Sequence, residues 1–443
     1  MKSLNTLMGK MAAVALFSLP MVTFAQQPTI NNLRAYDKSG INQFETKKDA
    51  DTKFDGLKVR IGAGFTQQFQ SLSHENAGQP AAGAVKLYPR LAPGFNVAQA
   101  NLYTDVQLAD GIALNLTTYL SAKHHNESWV KGGYLQMDKI PFKGAIWDKL
   151  SSVMTIKAGH MEINYGDQHF RRTDGGHALY NPFIENYIMD AFATEIGAEA
   201  YVKKNDVVAM IALSNGLING GVQKPLMPGS TTETAKRAPS VYGKLAYDKT
   251  LAEKTRVRVA GSFYANQNSG RSTLYGGDRT GSNYWFVLEP ETATATANAF
   301  SGRVNPGFTN QITALQFNLF AKVQGLEFFG TFENAKGGTN AEKVAKLDKR
   351  SANQIATDLI YRIGQKENVF LGLRYNVVNG QMIATKADKQ KIDRVAFAGG
   401  WFITDNVLLK GEYVKQKYTD YPTGNILNGG KFDGIVIEAI VGF

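Results

Sequence analysis

The sequence predicts an all-β chain, folded as a membrane-spanning antiparallel β-barrel of about sixteen strands. Three observations predict it. Past residue 25, no apolar run reaches the ~20 residues that a spanning helix needs. From Leu57 onward, segments of roughly ten residues alternate apolar with polar or small side chains, the period of a strand with two unlike faces. The connections between these segments alternate strictly between short turns and long stretches rich in Gly, Asn, Thr and charge. An even strand number with that alternation places both chain ends on the short-turn side. Closure leaves no unpaired sheet edge facing lipid.

The chain has 443 residues, no cysteine, 44 glycines and 13 prolines, with 49 basic against 38 acidic side chains. Zero cysteine excludes a disulfide scaffold and a thiolate metal site. Residues 1–25 read as a secretory signal peptide. Lys2 and Lys10 precede or flank the apolar run Met11 to Phe24, and Thr23-Phe24-Ala25 sets small residues ahead of a cleavage before Gln26. Its loss lowers the formal net charge of +11 by two. Residues 26–55 are polar and aperiodic, with a charged run from Lys47 to Lys53. They read as a loosely tethered periplasmic extension, the alternative being a short plug or anchor. The barrel domain is 56–443.

Strands are expected to begin near residues 57, 98, 112, 130, 152, 192, 207, 240, 255, 311, 326, 353, 368, 392, 406 and 433. In the first, Leu57, Val59, Ile61, Ala63, Phe65 and Phe69 share one face, while Lys58, Arg60, Thr66 and Gln68 share the other. Ala109-Asp110-Gly111 joins the second and third as a tight hairpin. Other short turns fall at Lys203 to Asp206, Gln324-Gly325, Gln365 to Asn368 and Thr404 to Asn406. The long connection Gln267 to Asn310 leaves one alternative open. Asn283 to Leu288 is part of a loop hairpin, or it adds a strand pair and makes about eighteen.

Setting the apolar face of each strand against lipid turns the mixed face inward. The inward bases include Lys58, Arg60, Lys157, Lys244, Arg374 and Arg394. The inward acids are Asp105, Glu195, Glu199, Glu327, Glu333, Asp358, Glu412 and Glu438. Bases modestly outnumber acids, which predicts a weak preference for anions. An unpaired charge in a low-dielectric core costs several kcal/mol, so the lumen is expected to be filled with water. A barrel of about sixteen strands is wide enough for that.

The last strand reads Ile435-Val-Ile-Glu-Ala-Ile-Val-Gly-Phe443, with Ile435, Ile437, Ala439, Val441 and Phe443 on one wholly apolar face. A terminal aromatic preceded by apolar residues at two-residue steps resembles the closing strand of Gram-negative outer-membrane barrels. In that family the strand carries the signal read by the barrel-insertion machinery, which assigns that role to Phe443. Outward aromatics near strand ends (Phe65, Phe69, Tyr247, Tyr361, Trp401) suit interfacial girdles.

The connection after strand five is long. It reads Tyr165-Gly-Asp-Gln-His-Phe-Arg-Arg-Thr-Asp-Gly-Gly, then Leu179-Tyr-Asn-Pro-Phe-Ile-Glu-Asn-Tyr. The stretch Phe54 to Phe69, the strand Trp129 to Ile140 and Gly159-His-Met-Glu-Ile-Asn-Tyr-Gly-Asp resemble the phosphate-selective porin O/P group, over about Phe54 to Phe443. The resemblance implies an outer-membrane porin with extracellular long loops and periplasmic short turns. It implies contact with outer-membrane lipid and lipopolysaccharide, passage of small hydrophilic solutes, phosphate among them, and a homotrimer or a monomer. In such porins a long loop, commonly the one after strand five, folds into the barrel and narrows it. The constriction residues would then be Tyr165, Asp167, Arg171, Arg172, Asp174 and Glu185. Opposed charges across a narrow opening sort solutes by charge and size. An equally weighted alternative has Arg171 and Arg172 in ion pairs that hold the loop.

Other chemistries are disfavoured. His124-His125-Asn126-Glu127 reads as solvated loop and not as a metal site. No Gly-x-Ser-x-Gly and no phosphate-binding Gly-x-x-x-x-Gly-Lys occurs, so neither an enzyme nor a cofactor is expected. Basic residues are scattered through strands with no stripe for nucleic acid. Two readings remain: a diffusion porin, and a non-conducting structural or interaction barrel such as an adhesin, a receptor or part of a secretion apparatus.

Overall fold

The computed structural model describes residues 27–48, 54–78, 85–96, 99–120, 128–173, 177–216, 224, 231–232, 237–277, 282–384 and 386–443. The expected leader with its cleavage before Gln26, Asp174, and the pair His124-His125 lie outside these residues.

Sixteen long strands run in order: β1 (Lys58–Glu75), β2 (Gln99–Ala109), β3 (Ile112–Leu120), β4 (Ser128–Met137), β5 (Met154–Glu162), β6 (Thr194–Lys204), β7 (Val207–Ser214) and β8 (Ser240–Ala252), then β9 (Thr255–Asn266), β10 (Gln311–Val323), β11 (Leu326–Gly338), β12 (Arg350–Ile363), β13 (Val369–Gly380), β14 (Gln390–Thr404), β15 (Val407–Thr419) and β16 (Lys431–Gly442). Each pairs antiparallel with its sequence neighbour, and β1 pairs with β16 from Gly64↔Gly442 to Glu75↔Lys431, which closes the barrel. Every backbone group of a closed sheet is paired within it, the condition for crossing hydrocarbon. A two-residue segment, Gly94–Phe95, lies against β1 from the first long loop. Each strand begins within a few residues of its expected start. The extra strand pair is not present among the described residues: Asn283 to Leu288 contributes only the isolated bridge Trp285↔Ser301.

Local chemistry sets the turns. Gly111 in the β2–β3 hairpin has φ +66°, and Asn205 in the β6–β7 hairpin has φ +53°, the left-handed conformation that two-residue hairpins require. A short helix, α1 (Ala145–Ser151), occupies the turn between β4 and β5. Alternation sets the faces. In β13, Leu371, Leu373 and Tyr375 are exposed, whereas Phe370, Arg374, Asn376 and Val378 are buried. In β16, Ile435, Ile437 and Val441 are exposed, as is Phe443 just past it, while Val436, Glu438 and Ile440 are fully buried. Phe65, Tyr247, Tyr361 and Trp401 also face outward.

The interior corrects two expectations. The bore is not simply open water: the described parts of loops 163–193 and 267–310 fold into it. Ile163, Tyr165, Phe183, Ile184, Ile188, Trp285 and Leu288 form one buried cluster with inward residues of the wall such as Ile312, Val378, Ile392 and Val436. Most of the inward charges meet opposite charges, such as Arg171 with Glu327, Arg374 with Asp358 and Lys410 with Glu438, which offsets the penalty that water was invoked to avoid. The second correction concerns the segment read as a loose extension. Residues 27–48 are ordered against the inner wall, because Ile30, Tyr36 and Phe44 bury apolar surface there and Glu45 meets buried cations.

Candidate functional site

The candidate site is the occupied lumen, built from the loop between β5 and β6, the loop between β9 and β10, and the N-terminal segment. An irregular backbone inside a barrel must find a partner for every N–H and C=O. Inward side chains of the wall supply them. Ile184 N–H donates to Glu412 Oε2 at 2.6 Å, Ile188 N–H to Asn376 Oδ1 at 2.7 Å and Met189 N–H to Gln354 Oε1 at 2.8 Å. Lys410 Nζ donates to the carbonyls of Ala178, Asn181 and Phe183 at 3.0, 3.0 and 2.8 Å, and pairs with Glu438 at 3.0 Å.

The loop residues singled out from sequence all lie inside the barrel where they are described, but in separate clusters. Tyr165 donates its hydroxyl to Glu333 Oε1 at 3.0 Å. Asp167 pairs with Lys244 at 3.0 Å and with Arg258 at 2.7 Å. Arg171 pairs with Glu327 at 2.7 Å and also donates to the Asn42 carboxamide. Arg172 makes a bidentate pair with Asp190, 3.1 and 2.6 Å, and its guanidinium lies 3.8 Å from the centre of the Phe192 ring. Glu185 pairs with Arg394 at 2.8 Å. Burial nevertheless pushes the Glu185 carboxyl up to about 8, against the pull of Arg394.

The second loop locks onto the first. Tyr284 donates to Asp190 at 2.9 Å, Arg172 donates to Ser282 Oγ at 2.7 Å, and Val304 N–H donates to Ile188 O at 2.6 Å. Trp285 is fully buried.

The other basic residues read as lumen-facing also point inward. Arg60 pairs with Asp105 at 2.6 Å and Arg374 with Asp358 at 2.7 Å. Lys244 is paired as above, and Arg394 donates to Gln416 Oε1 at 2.6 Å. Lys58, at the strand end, pairs with Asp55 at 2.7 Å. Lys157 differs. Its ammonium lies 5.1 Å from the Tyr134 ring centre and 5.5 Å from that of Tyr201.

The N-terminal segment crosses the short-turn end. Lys38 N–H donates to Asp405 O at 2.9 Å, Asn42 donates to Glu327 Oε2 at 2.6 Å, and Lys48 donates to the carbonyls of Asp138 and Met154. Tyr36 stacks on Tyr103 at 4.2 Å, and His177 of the loop stacks against the same pair, 4.9 Å from Tyr103 and 6.2 Å from Tyr36. Burial, reinforced by Arg34, pulls the His177 imidazole down to about 3. Burial alone would raise the Glu45 carboxyl, but Arg258 and Lys244 hold it well below the usual carboxylate range. Sequence reasoning did not single out Arg34, Tyr36, Phe44, Glu45, Asp190 or Trp285. The spaced apolar residues Ile30, Leu33, Tyr36, Ile41 and Phe44 in a polar stretch were the available signal.

A cavity of about 210 Å³ remains between the N-terminal segment, the inner faces of β2–β6 and the first loop. Asn32, Arg34, Lys157, Lys203, Glu199 and Phe170 are among its walls.

No protein-family model and no curated protein matches this chain. Solved structures do. An anion-selective porin from Comamonas acidovorans is similar with a TM-score of 0.51 at 10% identity, covering 88% of this chain and 100% of that one. The fold is that of outer-membrane barrels. The outer membrane channel DcaP of Acinetobacter baumannii has a TM-score of 0.49 at 9% identity, covering 88% and 98%. OmpT of Vibrio cholerae, expressed in the outer membrane, has 0.46 at 11%, covering 88% and 99%.

Proposed function

We propose that this chain is an outer-membrane porin for passive diffusion of small hydrophilic solutes, with a weak preference for anions and phosphate among the candidate solutes. The observation that carries the reading is a closed sixteen-strand barrel whose polar inner face is narrowed by an infolded loop yet keeps a charged cavity beside β2–β6. The loop after β5 acts as the constriction, with Tyr165, Asp167, Arg171, Arg172 and Glu185 holding it in place; Asp174, outside the described residues, is the sixth residue assigned to it from the sequence. The role is passive, with no catalytic step. Phe443 serves assembly, and outer-membrane lipid, lipopolysaccharide and two further copies of the chain are the expected surroundings.

The filled side of the bore favours a second reading, a non-conducting interaction barrel. Planar-bilayer recording of the refolded chain under a salt gradient separates them. The porin reading expects stable conductance steps and an anion-leaning reversal potential. A correctly folded barrel with no conductance would leave the interaction barrel.

A further inference from the structure

We propose that residues 27–48 are a second, fixed constriction at the short-turn mouth, and that small anions pass through the chamber between this segment and β2–β6. The inference rests on the porin reading and adds where the solute goes and what selects it.

The segment is held from several sides of the barrel. Lys38 binds the β15 side through Asp405 O (2.9 Å) and reaches Asn368 of the β12–β13 turn at 2.5 Å. Asn42 binds Glu327 on β11. Glu45 binds Lys244 on β8 at 3.2 Å and Arg258 on β9 at 2.6 Å. Lys203 of β6 donates to Thr46 O at 2.8 Å, and Arg60 of β1 donates to Arg34 O at 2.9 Å. A tail outside the bore would touch one rim. This one is tied to β1, β6, β8, β9, β11 and the turns beside β13 and β15, so it spans the opening.

Charge then decides what the remaining chamber accepts. Its three carboxylates are engaged. Glu45 is paired as above, Glu162 accepts from His169 Nδ1 at 2.7 Å, and Glu199 accepts from the Tyr242 hydroxyl at 3.1 Å, the Asn164 N–H at 3.0 Å and the Tyr201 hydroxyl. The cations are not matched by carboxylates in the same way. Lys157 stands directly across from Glu199 in the β5–β6 register, yet its ammonium lies over tyrosine rings. Arg34 donates to Gly40 O at 3.0 and 2.8 Å and sits 3.8 Å from the Tyr180 ring centre. Lys203 meets a carbonyl. Neutral partners, those of Glu199 included, leave a charge in place; with Glu45 set against Lys244 and Arg258, the lining's Arg34, Lys131, Lys157 and Lys203 outnumber Glu162 and Glu199, so the chamber presents net positive charge to a solute.

The test is single-channel recording in chloride salt with three variants. The first deletes residues 27–48. Folded barrel of this variant, identified by its heat-modifiable gel mobility, is expected to conduct about two-fold or more above the full chain and to lose anion preference. The second is Lys157→Glu with Arg34→Glu in the full chain, expected to move the reversal potential toward cations; this keeps the inference testable if the deletion does not fold. The third is Lys38→Cys with Asp405→Cys. Their direct backbone hydrogen bond places them within disulfide reach, and the chain has no other cysteine. The oxidised, locked channel is expected to conduct like the unmodified one. Equal conductance with and without residues 27–48, an unchanged reversal potential in the double Glu variant, or a locked channel that conducts only after reduction would each overturn the inference and leave the porin reading standing. A silent full chain beside a conducting deletion would also overturn it, since the segment would then seal. Silence from folded full chain, deletion and locked forms alike would instead sink the porin reading.

Discussion

Arg171 and Glu327 form an ion pair 2.7 Å long in the barrel interior, with side chains 3% and 0% exposed. Arg362 donates to the same carboxylate at 3.0 Å and Asn42 at 2.6 Å. One glutamate on β11 therefore joins the infolded loop, the N-terminal segment and β12.

Removing Arg171 leaves the buried Glu327 carboxylate with Arg362 as its remaining cation. Arg171→Ala is therefore expected to destabilise the barrel by about 1–3 kcal/mol. Glu327→Leu strands both Arg171 and Arg362 and is expected to cost more, about 3–5 kcal/mol. Urea midpoints of barrels folded into lipid vesicles check both, and equal stability of Arg171→Ala and the unmodified chain would contradict the structural role.

Acid should loosen the loop at His177. Its folded value of about 3 lies below the ordinary 6.5, so the unfolded chain binds the proton more readily. Stability from this group is full above about 6.5 and falls as pH drops toward 3. His177→Phe keeps a ring against Tyr103 and removes the titration. The difference in unfolding midpoint between pH 7 and pH 4 should shrink by the equivalent of on the order of 1 kcal/mol or more.

Base should act at Glu185. Its folded value of about 8 lies above the ordinary 4.5, so the folded chain holds the proton more tightly. The stability it contributes is full below about 4.5 and declines as pH rises through 8. Glu185→Gln should fold normally at pH 7 and flatten that alkaline decline, read as the unfolding midpoint between pH 6 and pH 9.

Phe443 helps to close the seam between β16 and β1. Its N–H donates to Ala63 O at 3.0 Å, Ala63 N–H returns a bond to Phe443 O at 2.9 Å, and its ring faces outward. Phe443→Ser keeps both backbone bonds. It is expected to cut the amount of barrel assembled in cells several-fold while leaving refolding in detergent nearly unchanged. Equal loss in both settings would place the defect in stability and not in recognition by the insertion machinery.

The strand plan was legible from the chain alone. A period of two, an even number of segments and the sorting of turns from loops are local properties, and each recurs along the sequence. That is why Gly111, Asn205 and the outward faces of β13 and β16 stand where expected. The interior was not legible. Whether Arg171 meets water or Glu327, and whether Glu45 hangs free or reaches Arg258, depends on residues 156 and 213 positions apart. Those pairings arise only when the wall closes and the loops fold inward, because a charge selects its partner by distance in space. The order of residues along the chain therefore determined the barrel and the polarity of its lining. Tertiary structure alone decided that the lining would be neutralised on one side, by two loops and the N-terminal segment, and left positive beside β2–β6.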